Sequence, residues 1–401
     1  MILQKVIMRK LYLFAFFLVL YEFTTYSAND MIMPWMVSVI RQFNAPLTYV
    51  AASLSLYMLG DCAVQIQIGP LSEYFGKRKI ILWGCFSFLV FTIFIAFSSN
   101  ILQFMTGRFL QGSGMAFVAM GYAIIHEKFN DKDSVKIIAL MANITILAPL
   151  VGPIIGGIIV SYSSWHYIFI VTGILGLISL SGLYKYTPRT RRQIKHLDFN
   201  GIIKHYLEIA RSKNYMLGVF CTIAGALPLL IWIGLSPNII LYNLKLGYKE
   251  YVIYQLIAVG GLPISTILLQ RLAGKLEFHK LIRLGCIIAF AGILFSVIFS
   301  FSINLLAVGL FFYTLGFGLA NGSIFRIIMS IDPKLSQSMS ASLLFFLQTL
   351  FFAIGIEISN SVCKHFNFSS LSSSLCWLFC AIIFLFLTFK LSSRIKDRKW
   401  H

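Results

Sequence analysis

Apolar runs of about 20 residues recur along the whole chain, each long enough to cross a hydrocarbon layer ~30 Å thick as an α-helix. No other feature restricts the fold so strongly. Inside a bilayer only helices and closed barrels satisfy every backbone polar group. Membrane strands would be shorter and alternate in polarity, and the sequence shows no such alternation. The chain is 58% apolar and 12% charged, against about 25% charged residues in a soluble domain. The expected fold class is an all-α polytopic membrane protein.

Twelve spans are expected near residues 11–30, 48–68, 80–98, 101–123, 137–160, 166–186, 215–241, 250–270, 282–301, 304–325, 338–361 and 371–391. The formal charge of +19 invites a nucleic-acid reading. Its distribution argues against one. The first connection carries Arg41, the seventh Lys245 and Lys249, and the eleventh Lys364. The third, fifth and ninth carry no Lys or Arg. Basic residues gather instead at the termini and even-numbered connections, as in Lys77, Arg78 and Lys79; Lys128, Lys132 and Lys136; Arg189, Arg191, Arg192 and Lys195; and Arg394, Lys396, Arg398 and Lys399. That alternation follows the positive-inside rule. It puts both termini on the cytoplasmic side, with the basic charge meeting anionic lipid. The N-terminus is basic and then apolar, without a small-x-small site after the apolar core, and reads as a retained signal anchor.

The longest polar stretch, TPRTRRQIKHLDFNGIIKHYLEIARSKN over 187–214, divides the spans six and six. It separates an N-terminal bundle over 1–186 from a C-terminal bundle over 215–401. Leu197 to Ile209 is expected to form an amphipathic helix on the inner surface; a regulatory or partner-binding segment is the alternative. A shift of about 201 residues pairs Leu71 with Leu272, Lys79 with Lys280 and Gly84 with Gly285. The fourth and tenth spans each carry G-x-G, at Gly112 and Gly114 and at Gly316 and Gly318. Weak repetition of this kind in a six-plus-six layout suggests two transporter halves with a site near the midplane.

An ionisable group inside a span is costly unless it faces a cavity or a partner. Glu22, Asp30, Asp61, Arg108 and Glu357 fall in such positions. At ~100° per residue, Tyr26, Asn29 and Asp30 lie roughly 40°, −20° and 80° around the helix from Glu22. The stretch YEFTTYSAND therefore forms one polar stripe, with its two acids about 12 Å apart along the axis. Glu22 reads either as a cavity carboxyl or as a satisfied structural one, and Asp30 as a cavity carboxyl or a cap at the outer end of the span. Arg108, in TGRFLQGSG, has five donors to satisfy; it either stands beside these carboxylates or snorkels to the outer interface. Asp61, in YMLGDCAVQ, is a third cavity acid or a neutralised packing residue. Glu357, in GIEIS, is expected in a structural hydrogen bond. The fifth span reads APLVGPIIGG over 148–157. Its Pro149 and Pro153 bend a helix, while Gly152 and Gly156 allow close helix approach. A hinge or seal is expected there.

The seven cysteines are scattered, with no C-x-x-C, and buried apolar thiols are the expected state. The sequence contains no H-E-x-x-H, no G-x-S-x-G and no phosphate-binding loop. No metal, no cofactor and no enzymatic activity are expected.

On these residues the chain resembles the major facilitator superfamily, and more narrowly the MdfA-type multidrug/proton antiporters of its twelve-span drug-exporter branch. The resemblance rests on YEFTTYSANDMIMP, RFLQG, ALMANITILAPLVGP, LPLLIWIGLSP, GFGLAN and GIEIS, and extends over nearly the whole chain. It implies a monomeric carrier that exchanges inward-moving protons for outward-moving lipophilic drugs, cationic or neutral. It implies that Glu22 recognises cationic drugs, that Asp30 is central to protonation and substrate binding, and that Tyr26 and Asn29 line the cavity. It assigns Arg108 to proton coupling, and Gly152 and Pro153 to the antiporter motif. Leu229, Trp232, Ile233 and Leu235 of the seventh span are candidate drug-contacting walls, with lipid-facing or packing surface as the alternative.

The connection after the second span, GPLSEYFGKRK, carries the superfamily's gate motif through Gly69, Glu73, Gly76, Lys77 and Arg78. It departs from the usual pattern, with Glu73 in place of the usual Asp and Tyr74 in place of the usual Arg. An exporter or importer of an endogenous metabolite or siderophore on the same fold is the competing expectation.

Overall fold

The computed structural model describes residues 2–189, 199–272, 276–330 and 337–395. The expected basic residues Arg191, Arg192, Lys195, Lys396, Arg398 and Lys399, and Leu197 at the start of the linker helix, lie outside them.

The chain is helical almost throughout. Helices α1 (Ile2–Asp30), α2 (Met36–Gln42), α3 (Thr48–Phe75), α4 (Lys77–Ala96), α5 (Ile101–Ser113), α6 (Val118–Lys128), α7 (Asp131–Tyr162) and α8 (His166–Tyr186) precede the linker helix α9 (Phe199–Arg211). They are followed by α10 (Lys213–Pro237), α11 (Tyr248–Val259), α12 (Gly261–Leu272), α13 (Phe278–Ile298), α14 (Ile303–Ser330), α15 (Gln337–His365) and α16 (Ser370–Ile395). Eleven of these helical runs are long and apolar enough to cross a membrane, and Leu147–Tyr162 adds the shorter apolar part of α7.

Several spans are longer than the apolar runs suggested. The first does not stop at Asp30. A 3₁₀ turn at Met33–Trp35 joins α1 to α2, so the run reaches Gln42. Pro34 sits at the start of that turn, where its missing N–H leaves no partner wanting. The fourth run likewise bends through a 3₁₀ turn at Met115–Phe117 and continues to Lys128. Local chemistry sets the ends. Asn100 caps α5 by accepting from the Gln103 N–H at 2.9 Å, and Asn130 caps α7 through the Asp133 N–H at 2.9 Å. Gly76, at φ 90°, makes the corner between α3 and α4, a backbone state that a side chain would strain.

By their contacts the residues cluster into two compact units, Met1–Ala45 with Ser53–Ile203, and Pro46–Ala52 with Lys204–His401. In the first, α1 packs on α7 and α8, and α4 on α5 and α8. Its buried core runs through Phe14, Leu18, Tyr21, Ile81, Cys85 and Phe88. In the second, α13 packs on α14 and α16, and α10 on α15 and α16. Close backbone approach is widespread: a methyl on Gly60 would lie 1.8 Å from the Phe109 carbonyl oxygen, and one on Gly112 1.9 Å from that of Tyr57. Those two glycines hold α3 and α5 together.

Within the second unit, α10 has an interrupted hydrogen-bond ladder. The Tyr313 hydroxyl accepts from the Leu229 N–H at 3.1 Å and donates to the Gly225 carbonyl at 2.6 Å. A side chain thus inserts between two groups that would normally bond each other in the helix, beside Pro228. In the linker helix α9, Tyr206 and Ile209 are buried, while Lys204, His205 and Glu208 are exposed together with Ile203 and Leu207.

Candidate functional site

The polar stripe of the first span folds inward. Glu22, Thr24, Thr25, Asn29 and Asp30 are all buried, and Tyr26 is half-buried. Thr24 and Thr25 satisfy their own hydroxyls locally, on the Leu20 and Glu22 carbonyls at 2.6 and 2.8 Å. The carboxyls must look to other helices. Glu22 Oε1 accepts from the Tyr122 hydroxyl of α6 at 2.7 Å, while its Oε2 is buried and has no hydrogen-bond partner among the described residues. Asp30 lies within electrostatic range of the Asn29 side chain and of Arg108. Because the helical run continues past it to Gln42, Asp30 does not cap the outer end of the span.

Arg108 is fully buried, which removes the snorkelling alternative. Its Nη2 donates to Asn29 Oδ1 at 2.5 Å, its Nη1 to Gln111 Oε1 at 2.7 Å and its Nε to Ser53 Oγ at 3.3 Å. The guanidinium also lies 4.5 Å from the centre of the Tyr57 ring. Every hydrogen-bond partner is neutral, and none of the described ion pairs includes it. Asn29, the chain neighbour of Asp30, accepts from this cation, and Asp30 lies within electrostatic range of both. The network extends to α4, where Gln111 Nε2 donates to Thr92 Oγ1 at 2.8 Å and Thr92 donates to the Phe88 carbonyl at 2.6 Å.

Helix α7 closes on this site from another side. A methyl added at Gly152 would meet Asp30 Cβ at 2.6 Å, and one at Gly156 would meet the Met31 carbonyl oxygen at 2.2 Å. Trp35 Nε1 donates to the Gly156 carbonyl at 3.1 Å. The glycines of the APLVGPIIGG stretch thus bring the α7 backbone directly against the residue pair Asp30–Met31. Pro149 and Pro153 both lie inside α7, which runs as one helix from Asp131 to Tyr162.

Asp61 is buried on α3 and lies within electrostatic range of Tyr21, Tyr26 and Tyr57. The other candidates fall elsewhere. At the gate motif Glu73 is exposed, and Lys77 pairs with Glu127 at the end of α6. Arg78 Nη2 donates to the Tyr184 carbonyl at 2.7 Å, and Ser72 Oγ to that of Gly69 at 2.7 Å. In the second unit, Leu229, Trp232, Ile233 and Leu235 are buried, and Trp232 meets Trp377 edge-on at 5.8 Å. Glu357 accepts from Asn360 Nδ2 at 3.5 Å.

Sequence reading missed Tyr122, Tyr57, Ser53 and Glu127. Of these network residues, Tyr57 opens the stretch YMLGDCAVQ and Gln111 lies inside RFLQG. A tyrosine or serine in an apolar helix gives no signal of its own until the facing helix is known.

Comparison with known proteins agrees with this architecture. A family model described as Major Facilitator Superfamily matches residues 18–356. Relatives named "Multidrug transporter MdfA" are 34% identical over 388 residues in Yersinia pestis bv. Antiqua (strain Angola), covering 94% of this chain and 95% of the relative. The relative from Escherichia coli O157:H7 is 35% identical over 388 residues, covering 94% of each. The relative from Edwardsiella ictaluri (strain 93-146) is 33% identical over 401 residues, covering 97% of each. Among solved structures, a bacterial homologue of the human lysosomal transporter Spinster superposes with a TM-score of 0.78 at 13% identity, covering 98% of both chains. A D-xylose–proton symporter superposes with a TM-score of 0.74 at 15% identity, covering 93% of this chain and 97% of that one. At such identities the superpositions speak for the fold.

Proposed function

Starting from the chain's membership of the Major Facilitator Superfamily, we propose that this membrane transporter is a proton-coupled multidrug efflux antiporter. The single observation that carries the reading is the buried carboxyl pair of the first helix. Among the described residues Glu22 has a buried oxygen with no donor, and Asp30 lies within electrostatic range of the Arg108 cation that its neighbour Asn29 binds. A carboxylate oxygen buried without a partner is strongly disfavoured. A proton relieves that, and so does the positive end of a lipophilic drug. The two therefore compete for one carboxyl.

That competition is what an antiporter requires. Drug binding favours the ionised acid and expels the proton. Protonation after the site has opened to the other side expels the drug. A ligand drives such a cycle only through different affinities for the two states, and here the difference is whether the acid carries a proton. One proton moving down one pH unit supplies about 1.4 kcal/mol, roughly a tenfold drug gradient. Glu22 is assigned to selection of cationic drugs and Asp30 to proton-linked binding. Arg108 holds Asn29 and so orients Asp30. Gly152 and Gly156 keep α7 against Asp30 while the helices shift. The basic even-numbered connections support a bacterial inner-membrane location with both termini cytoplasmic. A monomer suffices for this cycle, with the drug, protons and lipid as its partners.

The name shared by the relatives, "Multidrug transporter MdfA", supports a drug cargo over an endogenous metabolite. The experiment is drug accumulation in inverted membrane vesicles, driven by an imposed pH gradient, with and without an uncoupler. Asp30→Asn is expected to abolish gradient-driven exchange of a neutral drug, and full exchange in that variant would overturn the assignment. Glu22→Gln is expected to lose cationic but not neutral substrates.

A further inference from the structure

Asp61 is 4% exposed, yet among the described residues it has no hydrogen bond and no ion pair. It follows Gly60, whose close contact with the Phe109 carbonyl fixes this part of α3 against α5. Buried polar groups in folded proteins almost always have partners. A buried acid without one is either neutral or paired with something the protein does not supply.

The surroundings narrow this further. The groups near Asp61 are Tyr21 and Tyr26 of α1 and Tyr57 of its own helix. Beyond them, Arg108 of α5 lies over Tyr57 and Cys85 of α4 lies beside Tyr21. Two of the three hydroxyls are committed elsewhere: Tyr21 donates to the Gly114 carbonyl at 2.5 Å and Tyr57 to the Thr25 carbonyl at 2.7 Å. Arg108 spends its donors on Asn29, Gln111 and Ser53. Tyr26 is left. Its hydroxyl lies within electrostatic range of Glu22, Asp61 and Asp30 together, and its side chain is half-buried. One hydroxyl, uncommitted among the described residues, therefore lies within electrostatic range of three carboxyls, and among the described residues Glu22 Oε2 is buried without a partner and Asp61 accepts no hydrogen bond.

We propose that Asp61 is a third exchangeable carboxyl of this carrier, binding a proton of its own and joined to Glu22 and Asp30 through Tyr26. The inference rests on the antiport reading above and deepens it. A cycle that empties and refills Asp61 moves one more proton per drug than the first-helix acids alone. The neutral acid satisfies itself by donating, and the ionised acid adds negative charge where a cation binds.

The test uses the full chain reconstituted in vesicles, with tetraphenylphosphonium as the probe and the membrane potential clamped at zero. The tetraphenylphosphonium gradient held at equilibrium is measured against the imposed pH gradient. In Asp61→Asn the gradient held per pH unit is expected to fall about tenfold, the loss of one proton from the stoichiometry. An unchanged slope in a variant that still exchanges the probe overturns the proposal.

A second measurement does not depend on that variant folding. A hydrophobic carbodiimide reacts with protonated carboxyls in apolar surroundings. Peptide mapping of the native protein is expected to find the adduct on Asp61, with protection by tetraphenylphosphonium. Adducts on Glu22 or Asp30 with none on Asp61 overturn the proposal. If the native protein shows no pH-driven exchange of the probe at all, the antiport reading itself fails, an outcome distinct from a coupled carrier that is indifferent to residue 61.

Discussion

Gly152 of α7 lies so close to Asp30 of α1 that a methyl group on the glycine would stand 2.6 Å from the Asp30 Cβ. No real carbon pair tolerates that separation, so the two helices meet here only because position 152 has no side chain. Gly152→Ala is expected to force them apart and to destabilise the protein by about 1–3 kcal/mol, the usual cost of overpacking. Gly157→Ala is the control, since its new methyl meets nothing within 4 Å. Thermal unfolding in detergent checks the pair. Equal melting temperatures for the two variants would show that the contact is not tight.

Arg108 spreads a buried charge over neutral partners on three helices. Removing it strands Asn29, Gln111 and Ser53, so Arg108→Ala is expected to cost on the order of 3 kcal/mol. Arg108→Lys is expected to rescue little of this. A single ammonium cannot reproduce the planar fork or the stack on Tyr57. Unfolding midpoints and drug efflux measured on both variants decide the matter, and a lysine variant with native efflux would refute the argument from geometry.

Tyr122 is the one donor to the Glu22 carboxyl, at 2.7 Å, in the described structure. Tyr122→Phe keeps the ring and removes that bond. Binding of a lipophilic cation is expected to weaken about tenfold, the equivalent of one charge-assisted hydrogen bond of ~1.4 kcal/mol. Binding of an uncharged drug is expected to stay within about twofold, because it gains nothing from an ionised Glu22. Equilibrium dialysis with one probe of each kind tests this, and a parallel loss of both would point to a packing defect.

Gly76 turns the corner between α3 and α4 at φ 90°. An alanine there is expected to destabilise the protein by about 1–2 kcal/mol through left-handed backbone strain. Urea unfolding of Gly76→Ala checks it. The neighbouring Lys77–Glu127 pair is partly exposed, so Glu127→Gln is expected to cost less than about 1 kcal/mol.

How much of this was legible beforehand differs from residue to residue. The polar stripe from Glu22 to Asp30 followed from helical periodicity alone, and the structure buries its Glu22, Asn29 and Asp30. The continuation of the first span to Gln42 did not. MIMPW reads as a stop, because Pro34 usually marks a boundary, yet it begins a turn that carries the chain on. The candidate gate acid Glu73 proved exposed, while Glu127, the acid that meets Lys77, lies 50 residues further on.

The sequence by itself determined that this chain lives in a membrane as helices, and which face of its first span is polar. Both follow from local properties: the length of apolar runs against the bilayer and the rotation per residue. Only the tertiary structure decided that Asn29 meets Arg108, that Tyr122 serves Glu22, and that Gly152 closes on Asp30. Those pairs come from helices 79 to 122 residues apart in the chain. Their meeting depends on which helix faces pack together, and no local rule contains that. Asp61 shows the same division. Its presence in a span could be read directly, but its place near Tyr21 and Tyr26 of α1, without a hydrogen bond among the described residues, emerged only from the packing of α1 and α3.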